Sequence, residues 1–238
     1  MFSYNLAKIL SIIVLGIGIT VLIGWFSDID ILKSLSPNWV TMKFSTAMCF
    51  VMGGMILYFM NESERENSDY SKIILLTPMI IILFFTVTFL ISTLANIPTG
   101  IQDIFIKEKT NAIKSVSSGI PSIGTMINFL LIYIAGLISL LNSTKKKKIF
   151  SLIGIAITSI GSLAVLGYII NFEVLYYTVE GLSTAMALHT AISFVIIGTG
   201  ILFLSKERQS TDIISSYRIS IKAKVLLVIL PGTLATLI

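Results

Sequence analysis

The 238 residues carry a net charge of +5 and are 55% hydrophobic but only 12% charged, against about 25% charged residues in an ordinary soluble domain. That balance excludes a soluble globular fold and marks a helical membrane protein that crosses the bilayer several times. The positive charge would suit a nucleic-acid binder, but membrane topology explains it better, and no nucleic acid is expected as a partner.

Six apolar runs, at about 7–26, 44–60, 73–95, 123–141, 149–170 and 183–204, approach or exceed the length needed to cross a hydrocarbon core of about 30 Å. The first is not a cleaved signal peptide. Its apolar core from Ile9 to Phe26 is too long for one and lacks a small-x-small cleavage site. The second contains Cys49, the sole cysteine, so no internal disulfide or cysteine-based metal cluster is available. Between the second and third runs, "NESERENSDYSK" is acidic and polar, with no recognisable site. After the sixth comes a basic stretch, and then "VLLVILPGTLATLI" opens a seventh run of 14 residues, where a full span needs about 20.

Sorted by side, twelve Lys and Arg fall at the N-terminus, the even-numbered loops and the segment after run six, including "TKKKK" at 144–148. Five fall on the opposite side, Lys33 and Lys43 among them. The positive-inside bias puts the N-terminus in the cytoplasm of a cell membrane and reads the lysine run as a topology anchor. Trp25, Trp39, Tyr168, Tyr176 and Tyr177 lie near span ends, as in an interfacial aromatic belt.

The even-numbered runs open alike. Met42–Thr46–Phe50, Pro121–Thr125–Phe129 and Met186–Thr190–Phe194 share one spacing, and the first and third add Gly54 and Gly198 four residues on. Residues at i, i+4 and i+8 make one helical stripe, and small residues in it let helices approach closely. Gly24-Trp25 and Gly167-Tyr168 extend the parallel to the odd runs. The expected fold class is an all-α integral membrane protein, with six transmembrane helices as three repeated helical hairpins plus the start of a seventh helix. The hairpins fall at about 7–60, 73–141 and 149–204 in a membrane domain over 1–208, followed by a basic cytoplasmic connector at 209–224 and the start of a truncated helix at 225–238.

These openings, "MKFSTAMCF" and above all "MALHTAISFVIIGTGILFL" with His189, resemble the N-terminal multi-helix membrane sensor regions of prokaryotic sensor histidine kinases and related PAS- and GGDEF-containing proteins. "PSIGTMINF" departs from the pattern at Gly124-Thr125-Met126. The resemblance covers roughly residues 8–208. It implies a signal-input module whose output domain lies beyond Ile238, with a homodimer formed through those downstream domains. No kinase motif lies in the chain itself.

One histidine and one membrane cysteine cannot build a bis-His haem, a conventional zinc site or a facial metal triad. No catalytic residue, metal or cofactor is therefore expected, and the lipid bilayer is the partner that composition implies. All twelve acidic residues fall in loops or at span ends, which argues against an ion-coupled transporter. The candidate sensory or ligand residues are His189, Thr190, Glu180 and Asn128. His189 is the one side chain suited to switch with moderate pH change, with Glu180 or Glu173 as neighbours. A hydrogen-bonded imidazole at a helix start is its simpler reading, as an interhelical hydrogen bond is for Asn128. The expected function is membrane-embedded signal input. A small transporter or channel and a structural subunit of a membrane complex are the alternatives.

Overall fold

The computed structural model describes residues 2–66, 69–95, 100–101, 119–141, 143–177 and 184–206. Glu180, the connector at 209–224 and the seventh helix at 225–238 lie outside them. Among the described residues the chain is helical without strands, in the order α1 Phe2–Phe26, α2 Asp30–Lys33, α3 Phe44–Glu66, α4 Asp69–Ala95, α5 Ile123–Leu140, α6 Lys146–Ile169 and α7 Leu188–Lys206. All of these except the single turn α2 are long and apolar enough to cross a bilayer. In lipid, backbone polar groups must be satisfied within the segment, which is why an apolar chain of this kind resolves into helices.

The expected spans agree with the helices to within a few residues, and the differences have causes. α3 runs on to Glu66, α4 begins at Asp69 and α6 begins at Lys146, each beyond its apolar run. Glu and Lys are good helix formers, and here several of them pair with one another. α7 begins five residues later than the apolar run, at Leu188. Consequently Met42, Pro121 and Met186 do not lie on the helical stripe expected of them. All three precede their helices in non-helical entry segments. Backbone bonds from Met42 N–H to Lys33 O, 2.9 Å, and from Met186 N–H to Tyr176 O, 2.8 Å, hold two of these segments against the preceding turns.

The helices form two shells. α3, α5 and α7 surround the centre, and each of α1, α4 and α6 lies in the groove between two of them: α1 against α3 and α7, α4 against α3 and α5, α6 against α7 and α5. A hairpin is thus not an isolated pair. α1 packs most extensively on α3, and α6 on α7, but α4 packs more on α3 than on its chain neighbour α5. The physical reason is visible in the stripes. A Cβ on Gly54 would meet Leu15 and the Ser11 carbonyl of α1, and one on Gly198 would meet Thr158 and the Gly154 carbonyl of α6. α5 carries Tyr133 at the equivalent position.

Stripe residues build the centre. Phe50, Phe129 and Phe194 meet as a triangle of rings, with centroids 5.0, 4.8 and 5.1 Å apart. Those are favourable offset and edge-to-face separations, worth about 0.5–1.5 kcal/mol per pair beyond burial. One turn further along, Gly53 faces Ile132 and Ile197.

Candidate functional site

Because α3, α5 and α7 run in parallel, their N-termini converge at one end of the bundle. There Thr46, Thr125 and Thr190 line a cavity of about 10 Å³ together with Lys43, Ser122 and Thr184, about enough for one water molecule. Met42, Pro121 and Met186 line it too, so the entry segments that left the stripe form the rim. Ser122 is the N-cap of α5. Its Oγ accepts from Thr125 N–H at 3.2 Å and lies 2.8 Å from Thr125 Oγ1. The phenylalanine triangle lies four residues further along the same three helices, one turn below the threonines.

Three helix N-termini point their partial positive charge into the cavity, and Lys43 is buried at its edge. No Asp or Glu lines it among the described residues. Such a place suits a small hydrogen-bonding or anionic group.

Of the four candidate sensory residues, Glu180 lies outside the described residues, and the other three do not share one site. Thr190 lines the cavity, whereas its neighbour His189 does not. His189 lies beside the backbone of Lys33, only 8% exposed, and neither ring nitrogen has a hydrogen-bond partner. The loop backbone expected as its partner does stand beside it, at Lys33, without a hydrogen bond of good geometry among the described residues. Asn128 is fully buried in α5, and neither its oxygen nor its nitrogen is paired. The interhelical bond expected of it is not made among the described residues.

The aromatic residues at the span ends are tied inward. Trp25 Nε1 donates to Met42 O, and Tyr168 OH donates to Met186 O, both at 2.9 Å. Tyr168 stacks on Tyr176 at 4.0 Å, and Trp39 lies 5.5 Å from the Tyr168 ring. The first and last entry segments correspond bond for bond. α1 ends in left-handed Asp28 (φ 51°) and α6 in left-handed Asn171 (φ 55°). Ile29 N–H returns to Gly24 O and Phe172 N–H to Gly167 O, each at 2.9 Å. Asp and Asn tolerate this backbone better than most residues.

In the first turn, Lys33 is held by Asp28 and by Asp30 at 2.9 Å, with its ammonium 5.1 Å from the Trp25 ring. Burial works against the charged form, but the two carboxylates outweigh it and hold Lys33 above the ordinary lysine value.

A second cluster, at the opposite end, was not foreseen. Glu64 of α3 accepts from Lys146 at 2.8 Å and from Lys147 at 3.1 Å. Lys146 also donates to Ser139 O at the end of α5, and Lys147 to Leu204 O at the end of α7. Lys8 of α1 pairs with Glu62 at 2.8 Å. Two of the four lysines of "TKKKK" thus cap the negative ends of α5 and α7, and Glu64 at the end of α3 supplies the counter-charge. The sequence signal was charge complementarity between "NESERE" and the lysine run.

No known protein family, curated protein or solved structure matches the chain.

Proposed function

We propose that residues 1–208 are the membrane-embedded signal-input region of a prokaryotic signalling protein, a histidine kinase or a relative with another output. In this reading the N-terminus and the lysine cluster face the cytoplasm and the threonine cavity faces outward. One observation carries it. The three helices whose starts enclose the cavity are the three whose ends meet at Glu64, Lys146 and Lys147. From Thr46 to Glu64 that is about 27 Å at 1.5 Å per residue.

A group entering the cavity would favour one spacing of the helix starts. The far ends, joined through a shared carboxylate, would follow. Such coupling needs two packings whose equilibrium the stimulus biases, and the glycine contacts of α3 on α1 and of α7 on α6 supply sliding surfaces. The transporter alternative is less well supported. The phenylalanine triangle and the Gly53, Ile132 and Ile197 layer close the centre directly beneath the cavity.

The test is the intact mass of the protein from its native membrane with C-terminal peptide mapping, paired with solute flux in proteoliposomes. A chain that continues into a soluble signalling domain, in liposomes that stay tight, is the expected result. Saturable flux would overturn the proposal in favour of a transporter. A fixed stoichiometric partner with no output domain would overturn it in favour of a structural subunit.

A further inference from the structure

The lysine run has a second face. Lys145 caps α6 and Lys146, Lys147 and Lys148 open it, and successive residues at 3.6 per turn cannot all point one way. Lys146 and Lys147 turn inward onto Glu64. Lys145 and Lys148 are exposed and belong to no ion pair among the described residues. At 100° per residue, Lys145 and Lys148 fall within about 40° of Leu152, whereas Lys146 and Lys147 lie about 120–140° away from it. Leu152 and Leu166 are exposed apolar residues of α6, 42% and 48% accessible, and Ile170 beyond its end is also exposed. They share a stripe at helical spacing, interrupted by the buried Ser159, on a side of the helix that carries exposed apolar residues.

We propose that Lys145 and Lys148 form a binding site for the headgroup of an anionic phospholipid, with its acyl chains lying along Leu152 and the stripe beyond it. The chemistry fits in three respects. The lysines are three residues apart, so their Cβ atoms sit about 5–6 Å from each other and both ammoniums can reach one phosphodiester. Their long stems carry the charge to headgroup level while remaining over apolar surface. The carboxylate that could otherwise compete, Glu64, is already held by the inward pair. A topology anchor needs only charge on the correct side. A headgroup site needs these two positions and not the other two.

The measurement is retention of phosphatidylglycerol against phosphatidylcholine by the purified chain, by native mass spectrometry from mixed micelles and by titration in nanodiscs. The parent should prefer the anionic lipid. Each lysine near an anionic surface contributes roughly fivefold, so K145Q/K148Q should lose about twenty-fivefold in preference while circular dichroism stays unchanged. K145R/K148R should keep the preference, and K146Q/K147Q should lower thermal stability but leave lipid preference within about twofold. Equal retention of both lipids by the parent, or an unchanged preference in K145Q/K148Q, would overturn the site and leave the lysines as anchors only. Should the double variant fail to insert, the single variants K145Q and K148Q decide: each should lose part of the preference, and no loss in either overturns the site.

Discussion

Phe129, buried in the ring triangle, illustrates how much rests on single side chains. Truncating it removes two ring contacts and opens a cavity that α3 and α7 cannot fill without moving. Phe129→Ala should destabilise by about 3–5 kcal/mol, read as a lowered denaturation midpoint in mixed micelles. Phe129→Leu should cost less. Lys33 makes a prediction of opposite sign in pH. Since the folded state holds its ammonium above the ordinary value, its contribution is fully present below about pH 10.5 and is lost as pH climbs through the raised value. D28N/D30N removes the groups that raise it, so the alkaline loss of thermal stability should begin at lower pH than in the parent. An unchanged alkaline limb would show that the pair contributes nothing there. Aromatic residues at the span ends were legible as interfacial groups. Their bonds to Met42 O and Met186 O were not, because both acceptors belong to segments remote in sequence.

Elements depend on small residues at their contacts. Gly198 faces the backbone of α6 so closely that any side chain must displace it, whereas a Cβ on Gly16 of α1 would meet nothing within 4 Å. Gly198→Leu should therefore separate α7 from α6 and abolish the folded form. Gly16→Leu should be tolerated, as monitored by size-exclusion profile and midpoint together. The stripe of Thr, Phe and Gly was readable from spacing alone; its Thr and Phe mark the faces that meet at the centre, and its Gly residues the contacts with α1 and α6. Its first members were misassigned to the helices. Helix starts are set by where backbone N–H groups find partners, and here the partners of the entry segments lie in the turns after α1 and α6.

For the whole molecule, the Glu64 cluster joins α3, α5, α6 and α7 in one place, with the Glu64 side chain 11% exposed. Removing its charge leaves two partly buried lysines without their counter-ion. Glu64→Gln should cost on the order of 3 kcal/mol, with accelerated hydrogen exchange at the ends of all three central helices. Exchange confined to α3 would show that the cluster does not couple them. The seal beneath the cavity makes a matching prediction at this scale: parent proteoliposomes should hold back small solutes, whereas Phe50→Ala/Phe194→Ala, if it folds, should weaken the barrier.

Hydrophobic run length by itself determined that this is a multi-pass helical membrane protein, because the cost of exposing backbone polar groups to lipid leaves few alternatives. The recurring Thr–Phe spacing likewise determined which helix faces are special, since a side chain's azimuth follows from its residue number once the helix is given. Only the tertiary structure decided that the three stripes converge on one cavity and one ring triangle. It alone decided that α1, α4 and α6 fill grooves rather than pairing off, and that two lysines of four turn inward. Those outcomes depend on contacts between residues as far apart as Phe50 and Phe194, which local periodicity does not encode. His189 stands at the boundary between the two. Its chemistry was evident from its being the sole histidine, but its burial beside Lys33 was settled by the way the first hairpin's turn folds over the start of the last helix.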